Sequence, residues 1–196
     1  MKLYLHDIRE ERGGAEGLFR AACADYCENA VAGAGADLGE KALKVARGPH
    51  GKPYFAEPPL RGRLFFSISH SGSYWAVVFH DAEAGLDIED MGIRGNMTQE
   101  RMEKIAARFF ADDEVAYLLR VEGAGPEDAG SKGCGGFRGR FFRIWTAKES
   151  YIKYTGAGLS KDLRSFSVLN PPDGAIITTF SPAPSLICSH CAGFSV

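Results

Sequence analysis

The chain has no apolar run approaching the ~20 residues that a bilayer-spanning helix needs, so a membrane protein is not expected. It has no surplus of positive charge either. Its 23 basic and 25 acidic residues leave a net charge of -2, which speaks against a nucleic-acid partner. The first residues, MKLYLHDIRE, alternate as a short strand does and lack the apolar core of a signal peptide, so a cytoplasmic protein is expected. Cysteine is sparse: five residues, an odd number. Cys23 and Cys27 fall on one face of a helix and read as small core residues. The segment C-S-H-C, Cys188 to Cys191, would need zinc ligands from elsewhere, and no second C-x-x-C exists. Disulfides are not expected in a reducing compartment. No G-x-S-x-G elbow is present, and S-x-S-H-S-G has no evident orienting acid, which excludes a serine hydrolase.

What the chain does have is enough apolar material for a core: 196 residues, 45% of them hydrophobic. That length suits one domain or two small halves packed as one unit. GAEGLFRAACADYCENAVAG reads as a helix ended by glycines, and DLGEKALKVARGPHGKPYF passes through a Gly/Pro turn. LFFSISHSGSYWAVVF reads as two strands around Ser71-Gly72-Ser73, and Gly85 to Glu89 as another strand. TQERMEKIAARFFADDEVAYLLR has helical spacing broken near Ala111-Asp112-Asp113. Residues 122–140, EGAGPEDAGSKGCGGFRGR, predict a glycine-rich mobile loop. WTAKESYIKYTGAGLS follows as a helix running into a glycine turn. Strands are expected at LRSFSVL, GAIITTF and PSLICSHCAGFSV, the chain ending within the last. The whole predicts an α+β fold of two pseudo-duplicated halves, residues 1–85 and 86–196, each a small antiparallel sheet packed with helices. Two such halves in one chain make a dimer unnecessary, so a monomer is expected.

Three constellations carry chemistry. In G-L-D-I-E, Asp87 and Glu89 share one strand face while Leu86 and Ile88 face the core. Adjacent carboxylates repel, and a hard cation such as Mg²⁺ would suit them; a solvated edge strand is the plain alternative. In the helix, Ile144, Trp145, Lys148, Tyr151 and Ile152 form one stripe, with Glu149 and Lys153 at its margin. A surface Glu-Lys pair four residues apart accounts for those two. Lys148, within the apolar stripe, is left without a reason beyond a snorkelling stem. In G-K-P and S-I-S-H-S-G, Lys52, Ser69 and His70 are donors near turns, suited to phosphate oxygens; a hydrogen-bonded turn histidine is the alternative for His70. Together the three supply acids for a metal, donors for phosphate and a base.

The order G-K-P-Y-F, F-S-I-S-H-S-G, G-L-D-I-E, F-F-A-D-D-E and W-T-A-K-E-S-Y-I-K resembles the 4′-phosphopantetheinyl transferases of the Sfp type over about residues 48 to 170. The resemblance implies that family's fold. It also implies transfer of phosphopantetheine from coenzyme A to a serine of an acyl or peptidyl carrier protein, with Mg²⁺ and release of adenosine 3′,5′-bisphosphate. It places the metal on Asp87, Glu89 and Glu149, with Glu149 also a base, directly or through water. Lys153 falls on the diphosphate, and Ser69, His70 and Lys52 on coenzyme A phosphates. Lys148 is expected at the cofactor or carrier, or as support of the helix. The chain departs from the family in its weakly basic N-terminal region, for which Arg47 is expected to substitute in part. A non-catalytic coenzyme A or carrier-binding module is the alternative reading. A metal-dependent phosphohydrolase ranks last, because it lacks the extra His or Asp ligands of two-metal sites.

Overall fold

The structure, a computed structural model, describes residues 1–9, 14–30, 43–120 and 136–193. The described chain runs β1 (Lys2–Asp7), α1 (Gly14–Ala30), β2 (Val45–Arg47), β3 (Pro53–Phe55), β4 (Phe65–Ser71), β5 (Tyr74–His80) and β6 (Ala84–Asp90). It continues through α2 (Gln99–Phe109), α3 (Asp112–Leu118), α4 (Gly136–Thr155), two 3₁₀ turns, β7 (Ile176–Ala183) and β8 (Leu186–Ala192). Two three-stranded antiparallel sheets result, ordered β1-β5-β4 and β6-β8-β7, with a small β2-β3 ribbon beside them. In both sheets the first strand pairs with the second strand of a later hairpin, and a helical segment intervenes. The predicted boundary at residues 85 and 86 falls inside β6.

The layers follow from the alternation of side chains. One face of the first sheet packs Phe66, Trp75, Val77 and Phe79 against Leu18, Phe19 and Cys23 of α1. Its other face packs Ala76 and Val78 against Leu86, Ile88 and Cys188 of the second sheet. The far face of the second sheet carries Cys191, which meets Tyr151 and Ile152 of α4. The order of layers is therefore helix, sheet, sheet, helix. Cys188 and Cys191 point to opposite faces and fill separate cores, as strand alternation requires. Among the described residues no three His, Cys, Asp or Glu side chains are grouped so as to hold a metal ion.

Several expected elements take their place. Residues 71–74 close the β4-β5 hairpin, with Gly72 at φ 60, a left-handed conformation that glycine adopts without steric cost. The predicted break near Ala111 separates α2 from α3, and the Ala111 N–H donates to the Glu114 carboxylate across it at 2.7 Å. Two expectations fail. The strand expected at LRSFSVL is a 3₁₀ turn, Leu163–Ser165, followed by irregular chain. The glycine-rich loop expected over 122–140 contains the first turn of α4, which begins at Gly136. There Arg138 donates to the carbonyls of Met91, Arg94 and Met97. Arg140, buried, donates to those of Leu118 and Arg120. The remainder of that stretch, and the expected strand end at 194–196, lie outside the described residues.

Candidate active site

β6 is an edge strand of its sheet, with β8 on one side only. An edge strand leaves N–H groups without ladder partners, and buried N–H groups must find acceptors. Here β4 supplies them from side chains. Ser67, Ser69 and Ser71 accept hydrogen bonds from the backbone N–H groups of Leu86, Ile88 and Asp90 at 3.0, 3.2 and 2.9 Å. The constant offset means that β4 and β6 run side by side in the same direction, joined by hydroxyls in place of a backbone ladder.

The same serines hold the acids. Ser69 donates to Asp87 Oδ1 and Ser71 to Glu89 Oε2, each at 2.9 Å. Asp87 and Glu89 are both buried. A solvated edge strand therefore does not describe this segment. The third position of the pattern is Gly85, and the helix explains it. A Cβ on Gly85 would stand 1.9 Å from the Ser150 carbonyl oxygen and 2.4 Å from the Tyr154 nitrogen. G-x-D-x-E thus sets a glycine where α4 touches the strand and two carboxylates where the helix leaves room.

Helix α4 brings the third acid and its lysine. Lys153 Nζ lies 2.7 Å from Asp87 Oδ1 and 3.1 Å from Ser69 Oγ, so its partner is the strand acid and not Glu149. Arg94 reaches Glu89 at 3.3 and 3.4 Å. Glu149 accepts no hydrogen bond from any described residue. Burial lifts the Glu149 carboxyl above the ordinary glutamate value; the Asp87 and Glu89 charges add to this, against the pull of Lys153. Burial likewise raises Asp87, opposed by Lys153 and Ser69. Asp87 and Glu89 thus each carry one cation, Lys153 and Arg94. Carboxylate oxygens are the hard donors a small divalent cation takes, but among the described residues the three acids are not drawn together as a formed metal site.

Lys148 departs from the phosphate or carrier contact expected of it. Its side chain has 0% exposure and pairs at 2.8 Å with Glu114, also at 0%. Its amine donates further to the carbonyls of Leu163 and Phe166, both at 2.7 Å, and lies over the Phe166 ring. Burial lowers its pKa in spite of Glu114. All three amine hydrogens are spent inside the protein, which leaves none for a ligand. Support of the helix is the role the geometry gives it.

Three adjoining clefts open along this seam. The middle one, about 240 Å³, is lined by Arg47, Lys52 and Lys153 together with Ser67 and Ile68. A larger apolar chamber of about 450 Å³ shares His50, Lys52 and Pro53 with it and adds Tyr54, Phe66 and Arg61. On the other side, a cleft of about 230 Å³ shares Ile152 and Gly158 and holds Glu149 and Lys161. Each cation of the middle cleft is held by an internal oxygen. Arg47 donates to the Gly51 carbonyl at 2.9 Å. Lys52 pairs with Glu83 and donates to the Tyr154 carbonyl, tying the ribbon to the end of α4. His70 is exposed on the face of β4 opposite Ser69.

The structure thus joins Asp87, Ser69 and Lys153 by direct contacts, keeps Glu89 on the same strand and Glu149 within reach of the charges of both acids, and sets Arg47 and Lys52 along the cleft that Lys153 lines. Sequence reasoning missed Ser71, Arg94, Glu83 and Glu114. For Ser71 a signal existed: serines at 67, 69 and 71 repeat with the same period as positions 85, 87 and 89. For the other three, no local pattern names the partner.

Residues 83–194 match the family model of the 4′-phosphopantetheinyl transferase superfamily. The chain belongs to this superfamily. The matched span begins one residue before β6 and includes all three acids, Lys148 and Lys153. Among relatives, the 4′-phosphopantetheinyl transferase Sfp of Bacillus subtilis (strain 168) is 32% identical over 139 residues, 71% of this chain and 53% of its own length. The transferase psf-1 of Bacillus pumilus is 33% identical over 125 residues, 64% of this chain and 45% of its own. HetI of Nostoc sp. (strain PCC 7120) is 27% identical over 187 residues, 95% of this chain and 68% of its own. The chain spans about half the length of the Bacillus relatives it matches. No described helix is long and apolar enough to cross a membrane.

Proposed function

We propose that this chain transfers the 4′-phosphopantetheine group of coenzyme A to a serine hydroxyl of an acyl or peptidyl carrier protein, in a Mg²⁺-dependent reaction. The serine oxygen bonds to the phosphorus that carries pantetheine, and the bond from that phosphorus to the bridging oxygen breaks. Adenosine 3′,5′-bisphosphate leaves with the bond's electrons. The observation that carries this reading is Lys153, which sits on Asp87 and lines one cleft with Lys52 and Arg47, while Glu149 feels the charges of Asp87 and Glu89.

Asp87, Glu89 and Glu149 would hold the Mg²⁺, which supplies charge neutralisation at the diphosphate when bound. Glu149, without a hydrogen-bond donor among the described residues and with a raised carboxyl pKa, is suited to take the serine proton. Lys153 reaches the diphosphate once it leaves Asp87. Lys52 and Arg47 face the remaining phosphate from the ribbon, Ser69 from within the seam, and His70 from the outer face of β4. The apolar chamber beside them accommodates the nucleotide end. The chain is proposed to act as a monomer of two pseudo-duplicated halves, with the ligand across their seam.

The test is to incubate the protein with coenzyme A, Mg²⁺ and apo carrier proteins and to weigh the carriers. At least one carrier is expected to gain the phosphopantetheine mass, and Asp87→Ala or Glu149→Ala to lose most of the activity while staying folded. A folded wild-type protein that modifies no carrier refutes the transfer. Calorimetric binding of coenzyme A without transfer would indicate a binding module instead.

A further inference from the structure

We propose that Lys153 is an exchangeable internal counter-ion. In the ligand-free protein it neutralises Asp87, and a divalent cation must displace it, which frees the lysine for the diphosphate. The inference rests on the metal and phosphate roles proposed above, and adds that the two binding events are coupled through one side chain.

Three observations carry it. Lys153 has two charged assignments, and the structure shows it filling the first: 2.7 Å from Asp87 Oδ1, with Ser69 as a second partner. Its side chain is 31% exposed and lines the cleft that holds Lys52 and Arg47, so the amine can swing from the acid toward the cleft without unfolding anything. The neighbouring acid is treated alike, since Arg94 from the 91–97 turn neutralises Glu89. The protein thus sets a side-chain cation on each of the two strand carboxylates and, among the described residues, leaves Glu149 without one. A buried carboxylate is costly without positive charge beside it. Lys153 offsets that cost while no metal is bound. A cation on Asp87 then makes the lysine's stay unfavourable by like-charge repulsion, and the lysine is left to seek an anion. Binding of the metal and of the phosphate ligand therefore reinforce each other.

Mn²⁺ alone, titrated calorimetrically into protein free of coenzyme A at pH 8, reads the exchange without any turnover. Lys153→Met removes the competing charge but keeps most of the unbranched stem. Its affinity for Mn²⁺ is expected to rise about five- to tenfold, since an opposite charge at this distance shifts a carboxylate's cation affinity by at least that much. Lys153→Arg, which retains the competitor, should bind Mn²⁺ as the wild type does. Arg94→Gln should give a smaller rise, about two- to threefold, because that contact is longer and half exposed. Lys153→Gln takes the place of the methionine variant if circular dichroism shows the latter unfolded. Unchanged or weaker Mn²⁺ binding in a folded uncharged Lys153 variant, with the wild type binding, overturns the exchange and leaves the metal assignment standing. No Mn²⁺ binding to either protein overturns both.

Discussion

At the scale of single residues, Gly85 and Lys148 show how much a side chain owes to what faces it. Gly85 has no room for even a methyl group, because a Cβ would lie 1.9 Å from the Ser150 carbonyl oxygen. That is backbone against backbone, and relief requires α4 to move off the strand that carries Asp87 and Glu89. Gly85→Ala is therefore expected to cost roughly 3 kcal/mol of stability by urea unfolding. A loss below 1 kcal/mol would show that the helix can shift freely. Lys148 is the opposite case. The sequence marks it as anomalous, a charge within an apolar stripe, but its explanation lies in Glu114, far off in the chain. The structure removes the anomaly by spending every amine hydrogen on an internal oxygen.

At the scale of elements, the Lys148-Glu114 pair decides the course of the chain after α4. Glu114 accepts from the Ala111 and Val168 N–H groups while pairing with Lys148. The Leu163 and Phe166 carbonyls and the Val168 N–H are thereby committed to side chains. A segment whose polar groups are so used cannot join a ladder, which is why LRSFSVL, strand-like in composition, forms a 3₁₀ turn instead. Breaking the pair on one side leaves a charge buried alone. Lys148→Met or Glu114→Gln singly should each cost about 3–5 kcal/mol, whereas the double change Lys148→Met/Glu114→Leu should recover a large part of it. Thermal denaturation of the three variants measures this; additive losses would mean that the two residues act independently. Similar reasoning covers the start of α4. Glycines there read as a loop, yet Arg138 and Arg140 bind carbonyls of the 91–97 turn and of the chain leaving α3. The helix is fixed by long-range acceptors that no local propensity reports.

At the scale of the molecule, the two sheets meet along a seam closed by serine hydroxyls, and His190 lies across β6 from it, opposite Leu86. His190 of β8 keeps Nδ1 buried with no hydrogen-bond partner among the described residues. Burial lowers its pKa below 6.5, and the nearby His80 and the N-terminal amine lower it further. The unfolded chain therefore takes up this proton first as pH falls. The contribution of His190 to stability is complete above about pH 6.5 and is lost as pH drops from there toward the lower folded value. Unfolding free energies from pH 8 to 5 should decline through this window, and His190→Phe should flatten the decline. An equal slope in that variant would place the titration elsewhere.

The order of acids, lysines and serines, and the existence of most strands and helices, were legible in the sequence, because strand alternation and helical spacing are local consequences of backbone geometry. So was the resemblance on which Asp87, Glu89, Glu149 and Lys153 were picked out together. What only the tertiary structure decided is which charge meets which. Lys153 sits on Asp87 and not on its helix neighbour Glu149, Arg94 sits on Glu89, and Lys148 lies buried on Glu114. The first and last of those pairings join residues distant in the chain, and the one on Asp87 depends on how closely a helix can approach a strand. A single glycine permits that approach, and packing of the whole core sets it.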